Sequence, residues 1–266
     1  LIRLQNKNNQ ESIETINFVK NLIQDKVIEF RRSEFVGPTI SSELLFKGFQ
    51  AVSFALIAIL IYIVKSDRFP EPTNLVIQTF FVGVFICIPA GYLNGYIYLF
   101  EDAFGLDDMS FLAGFTEEPL KFLAFMLFVK VHSEFDEPMD AIVYGTVISL
   151  GFATWENIEY VYMIYSDQSF YVATIRAISA IPLHASCGVI MGYYIGLYTF
   201  RGSRKYIVQA LITPVLIHAL YNFLTGFPNL IFFGYLICVI YFAVTLHKKF
   251  VIEQSYKSSE GEPKIR

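Results

Sequence analysis

The residues most able to do chemistry sit where a chain least tolerates charge. Glu117, Glu118 and Lys121 fall inside an apolar run from Phe111 to Val131. A charged side chain at the centre of a bilayer costs about 2.5–3.5 kcal/mol on insertion scales, so such groups face the protein interior or a wet cavity and mark function. Three more apolar runs carry polar groups at similar depth: Glu156 with Asn157, Arg176 with His184, and His218 with Asn222. Together these types suit hydrolysis. One carboxylate takes a proton from water and another gives one to a leaving group. Histidine and asparagine donate to a developing oxyanion. Two histidines and a carboxylate also make a zinc donor set beside which a further glutamate acts as base. Glu118, Glu156, His184 and His218 are the candidate ligands, and zinc is the only cofactor the pattern suggests.

Spacing refines the picture. Glu117 and Lys121 stand at i,i+4 and are expected to pair on one helix face. Glu118 points about 100° away, towards a different direction. His218 and Asn222 share a face by the same i,i+4 rule, as do Glu156 and Tyr160. Pro119 removes a backbone hydrogen bond beside the acidic pair. Arg176, near a span end, is expected to reach an interface or pair with a carboxylate. Glu159 is given no role, and Trp155 is expected to pack. His132 and His247, at span ends, are expected to be solvated.

These residues need long apolar elements to carry them. The chain has 266 residues, of which 55% are hydrophobic and 17% charged, below the ~25% charged usual for a soluble domain. Mean hydropathy is +0.49. The apolar runs are continuous and lack the alternation of a membrane barrel. The expected fold is therefore all-α, a polytopic bundle of about seven transmembrane helices at 46–64, 75–100, 110–131, 140–165, 171–200, 206–225 and 230–247. Each holds the ~20 apolar residues that cross a bilayer. Pro89 and Gly91 are expected to kink the second.

Flanking the membrane domain (46–247) are an N-terminal polar segment, 1–45, and a polar, basic tail, 248–266. Ile16, Val19, Ile23, Val27 and Phe30 recur at helical spacing, so 11–32 reads as an amphipathic helix ended by Gly37-Pro38. The chain begins at Leu1 and shows no signal peptide. Cys87, Cys187 and Cys238 lie in apolar runs without CxxC spacing and read as packing residues. The net charge of −4 excludes a nucleic-acid partner; the expected partners are lipid and a membrane-protein substrate. Basic residues in loop 201–205, at Lys65 and Arg68, and at Lys248 and Lys249 place those ends in the cytoplasm. The acidic loop 101–109 then lies outside, and the polar cluster opens towards the outer half. Arg31, Arg32 and Lys47 run against this orientation.

At these residues the chain resembles the PrsW family of intramembrane proteases. The matching features are Glu117-Glu118-Pro119-Leu120-Lys121, Phe152-Ala153-Thr154-Trp155-Glu156-Asn157, Arg176 with His184, and His218. More distantly it is similar to the CAAX prenyl protease-like membrane proteins, to whose HxxxN element His218–Asn222 corresponds. Lys121 stands one position before the arginine those relatives carry, which favours PrsW. The resemblance implies peptide-bond hydrolysis in a membrane-protein substrate, as in regulated intramembrane proteolysis at a prokaryotic plasma membrane. It implies Glu117, Glu118, Glu156, His184 and His218 as the active-site set, with Lys121, Asn157, Arg176 and Asn222 supporting. Whether water is activated by glutamate alone or by a metal stays open, as does the oligomeric state. The rival readings are a proton- or cation-coupled transporter, a non-catalytic membrane scaffold, and a CAAX-type protease.

Overall fold

In the computed structural model the described residues are Phe18 and 38–259, apart from 106–108 and 166–167. The amphipathic helix expected at 11–32 lies outside them, save Phe18. Helices make up the fold, and no strand occurs among the described residues. In chain order they are α1 (Pro38–Ser66), α2 (Thr73–Phe104), α3 (Ala113–Ala124), α4 (Pro138–Ile158), α5 (Ser169–Ile178), α6 (Ala180–Arg201), α7 (Lys205–Leu224) and α8 (Asn229–Ser259).

The seven expected spans map onto these helices with three differences. α1 begins eight residues before position 46. The fifth span is two helices, α5 and α6, broken at Ser179, whose hydroxyl donates to the Ile175 carbonyl and accepts from Tyr221. α8 runs through Lys248 to Ser259, so the last span continues well past 247. α2 stays helical through Pro89.

Among the described residues, five helical stretches are long and apolar enough to cross a membrane: Glu43–Ser66, Thr73–Phe104, Ser169–Arg201, Lys205–Leu224 and Asn229–Tyr256. The two remaining expected spans fall on α3 and α4, which carry Glu117, Glu118, Lys121 and Glu156. α4 is buried along most of its length and packs against both α6 and α2. A helix shielded from lipid by its neighbours can hold polar groups that a lipid-facing one cannot. α2 shows the opposite pattern, exposing Phe81, Phe85, Tyr92 and Tyr96 on its outer side.

The α4–α6 crossing forms the centre of the bundle, where Tyr144, Val147, Ile148 and Ile190 are almost wholly enclosed. Small residues let the backbones approach there. A Cβ on Gly145 would stand 2.7 Å from the Gly188 carbonyl oxygen. Gly114 does the same for the site: a Cβ there would lie 2.6 Å from the Ala219 nitrogen. It therefore seats α3 directly on α7, one turn before Glu118 and beside His218.

The far end of the bundle is tied by a second polar group. Gln254 of α8 donates to Asp67 Oδ1 at 2.8 Å and to Glu137 Oε1 at 2.7 Å. Asp140 caps its own helix by accepting from the Glu137 nitrogen at 2.8 Å, satisfying a donor left open at the helix start. His247, expected to be solvated, is instead 3% exposed, and its Nε2 lies 2.7 Å from Ser66 Oγ. The reason is that Tyr62 and Ser66 of α1 lie against the ring, Tyr62 at 5.5 Å between centroids. Of the cysteines, Cys87 and Cys187 are buried thiols, and Cys238 is exposed.

Candidate active site

α3 brings three charged groups to one enclosed spot. Glu117, Glu118 and Lys121 are 3%, 0% and 0% exposed. Lys121 Nζ donates to Glu118 Oε1 at 2.8 Å and stands 3.7 Å from Glu117 Oε2. The tighter pair is thus at i,i+3, and Glu118 does not serve a separate direction as its 100° offset suggested. α3 lies against α7 on one side and α2 on the other, so both carboxylates are drawn into one polar centre. Lys121 also approaches His184 Nδ1 at 2.9 Å and lies over the Phe152 ring, 4.0 Å from its centroid. An ammonium has three hydrogens and no acceptor, so its position is set by partners on three helices.

α6 and α7 supply the imidazoles. The His184 and His218 rings are 5.0 Å apart between centroids and nearly perpendicular, at 89°. His218 Nδ1 lies 2.9 Å from Glu118 Oε1. With Lys121 donating to Nδ1, His184 carries its hydrogen on Nε2, which bonds Glu156 Oε2 at 2.7 Å. This is the tautomer the neighbours dictate.

Behind His184 stands a second layer from α4 and α5. Arg176 Nη2 pairs with Glu156 Oε2 at 2.8 Å, while its Nε donates to Asn157 Oδ1 at 2.8 Å. Its guanidinium lies over Tyr160, 4.0 Å from the ring centroid. Asn157 in turn donates to the Ala153 carbonyl at 2.6 Å. A planar fork can serve an acid and an amide together in this way. Just beyond Glu156 the chain loosens into a π-helical turn over Glu159–Ile164, and a similar turn, Phe125–Val129, follows α3. Such turns are frequent at functional sites.

Eight of the nine residues singled out from the sequence therefore converge: Glu117, Glu118, Lys121, Glu156, Asn157, Arg176, His184 and His218. Asn222 does not join them. It is half-buried, and its amide donates to the Ser110 carbonyl at 3.1 Å. Although it shares the helix face of His218 by spacing, one turn carries it past the end of the enclosed centre to the loop before α3.

Two participants escaped the sequence reading. Asn94 of α2 donates from Nδ2 to Glu117 Oε1 at 3.0 Å, and Thr116 donates from its hydroxyl to Asn94 Oδ1. A signal for Asn94 existed, since an amide in the apolar run from Val76 to Phe100 needs a partner.

The centre has unmet acceptors. Glu117 Oε2 and Glu118 Oε2 are buried and accept no hydrogen bond. Glu117, His184 and His218 each offer one ligand atom, all within 4.8 Å of one another. Among the described residues, Glu117 is the carboxylate that completes this group with the two histidines, ahead of Glu118 and Glu156. Two imidazoles and a carboxylate fit zinc chemically.

Residues 71–246 match the model of the PrsW family intramembrane metalloprotease. Residues 16–90 match the C-terminal part of the protein export membrane protein SecD/SecF, a stretch that contains none of the eight converging residues. Protease PrsW of Bacillus subtilis is 37% identical over 183 residues, covering 66% of this chain and 82% of that protein. Protease PrsW of Oceanobacillus iheyensis is 35% identical, covering 65% and 80%. That of Clostridioides difficile is 31% identical, covering 64% and 76%. No solved structure matches the chain. With its five apolar helices, the protein is an integral, multi-pass membrane protein. The model match spans all eight converging residues, and the chain belongs to the PrsW family of intramembrane proteases.

Proposed function

We propose that this protein is an intramembrane endopeptidase that hydrolyses a peptide bond of a membrane-protein substrate. The observation that carries the reading is Glu117 Oε2, a buried carboxylate oxygen without a hydrogen-bond donor, 3.7 Å from Lys121 Nζ and 3.8 Å from His218 Nδ1. Such an oxygen calls for a water or a ligand to complete it.

The two carboxylates divide the work. Glu118 Oε1 is taken by Lys121 and His218, so Glu118 positions those groups. Glu117 is the base. As the water oxygen bonds to the scissile carbonyl carbon, Glu117 takes the water proton. As the C–N bond breaks, that proton passes to the departing amine. His218, tied through Nδ1, has Nε2 for relaying it or for steadying the oxyanion. Arg176 holds Glu156, and Glu156 holds His184, which aligns Lys121. In a site closed to bulk water each of these interactions is stronger than in solvent.

The Glu117, His184 and His218 group is also where a zinc ion would sit. Zinc supplies a lowered pKa for bound water and polarises a carbonyl. His184 would then release Lys121 or Glu156, which occupy its two ring nitrogens. Glu118, with Oε2 unpaired, would be the carboxylate left for proton transfer.

The site belongs to the outer half of the membrane on this reading. Glu156 lies 16 residues beyond Asp140 along α4, about 24 Å at 1.5 Å per residue. The Asp140 end is the end that carries the basic loop: Gly196, one turn before Arg201, packs on the Pro138 carbonyl. Basic ends face the cytoplasm.

The test is cleavage of a tagged single-span membrane protein by purified protein in proteoliposomes. Wild type is expected to cleave it, and Glu117→Gln to retain under one part in about 100, the loss typical of removing a general base. A Glu117→Gln variant that cleaves at the wild-type rate overturns the assignment. Metal analysis of wild type against His184→Ala and His218→Ala decides the zinc route. Full activity in metal-free protein rules that route out.

A further inference from the structure

Glu117 has two oxygens with different surroundings, and the difference has a cause outside α3. Oε1 accepts from Asn94 Nδ2 at 3.0 Å, whereas Oε2 accepts nothing and lies among Lys121 and His218. A carboxylate on three rotatable bonds would otherwise swing so that both oxygens shared the donors around Lys121. Asn94 prevents this by anchoring one oxygen to α2.

Asn94 itself is oriented. A side-chain amide can turn over and exchange its oxygen for its nitrogen, so which end faces Glu117 must be set by a neighbour. Thr116, the residue before Glu117, puts its hydroxyl on Asn94 Oδ1 and within 2.9 Å of the Ala113 carbonyl. The hydroxyl hydrogen on Oδ1 directs Nδ2 at the carboxylate. Both side chains are half-buried. The amide and the hydroxyl there meet one another, Glu117 and the Ala113 carbonyl, so the orientation of the amide is set within this small group.

We propose that Asn94, oriented by Thr116, is the positioning residue that ties Glu117 Oε1 to α2 and so keeps Oε2 aimed into the centre shared with Lys121 and His218. This rests on the endopeptidase reading above and adds to it the residue that aligns the base. Asn94 does not touch the reacting atoms. Its removal lets Glu117 rotate towards Lys121, and the water loses its acceptor while the substrate still binds.

The experiment measures kcat and KM separately for Asn94→Ala, Asn94→Asp, Thr116→Val and Thr116→Ser on the tagged single-span substrate, with Glu117→Gln alongside. A hydrogen bond to a charged group contributes enough to change a rate about 10- to 100-fold. Asn94→Ala is expected to lower kcat by that factor with KM within about threefold, the signature of a group needed after binding. Asn94→Asp has the same shape but no donor, and is expected to lose as much. Thr116→Val, nearly isosteric, is expected to lose several-fold in kcat, and Thr116→Ser to restore it by returning the hydroxyl. Thermal unfolding of each variant in detergent reports folding. If Asn94→Ala fails to fold, the Val and Ser pair at Thr116 decides.

Asn94→Ala or Thr116→Val with wild-type kcat, beside an inactive Glu117→Gln, overturns this proposal and leaves the endopeptidase reading standing. A loss confined to KM also overturns it, since that places Asn94 in substrate binding. An active Glu117→Gln overturns the endopeptidase reading instead.

Discussion

Replacing Lys121 with methionine keeps most of the unbranched side chain and removes its charge. In the folded protein Lys121 Nζ stands 2.8 Å from Glu118, 3.7 Å from Glu117 and 2.9 Å from His184, with no solvent exposure. Methionine leaves two buried carboxylates without their shared cation. Breaking a buried pair by removing one partner costs about 3–5 kcal/mol, because the other charge stays behind. At roughly 2–4 °C per kcal/mol for a domain of this size, the melting temperature should fall by about 6–20 °C. Glu118→Gln should cost less, since Lys121 retains Glu117 at 3.7 Å. The double variant Lys121→Met/Glu118→Gln should lose less than the sum of the two single variants, by a coupling of roughly 0.5–3 kcal/mol. Thermal unfolding of the four proteins in one detergent measures this cycle. A drop under about 2 °C for Lys121→Met, or strictly additive effects, refutes the view that Lys121 neutralises the acidic pair.

Two more outcomes follow from the layer behind the histidines and from the residue outside it. Arg176→Lys keeps the charge but not the fork that holds Glu156 and Asn157 at once; cleavage should fall about tenfold, with a loss of roughly 1–3 kcal/mol in stability, both read by the assays above. Asn222→Ala removes one exposed amide bond to the Ser110 carbonyl; cleavage should stay within about twofold of wild type, and a loss above tenfold would return Asn222 to the site.

Much of the architecture follows from composition along the chain. Continuous apolar runs of spanning length are legible as helices because length and hydropathy are local properties. That α8 runs well past 247 is not, because α8 carries Gln254 into contact with Asp67 and Glu137, residues far away in sequence. The break at Ser179 is partly legible. Pro182, which has no N–H for the Ile178 carbonyl, marks the neighbourhood, but the polar partner of Ser179, Tyr221, comes from another helix.

The candidate site divides the same way. That Glu117, Glu118, Lys121, Glu156, Arg176, His184 and His218 belong together is already argued by their chemistry, because a bilayer leaves ionisable groups no alternative to one another. Their pairing is a tertiary matter. Helical spacing alone joined Lys121 to Glu117 and His218 to Asn222. The packing of α3 on α7 through Gly114 joined His218 to Glu118, and the surroundings chose the i,i+3 partner of Lys121 over the i,i+4 one. Asn94 meets Glu117 only because α2 lies beside α3. Residue type shows which groups need a partner. Which partner each receives depends on angles and distances between helices, and these are summed over the whole bundle.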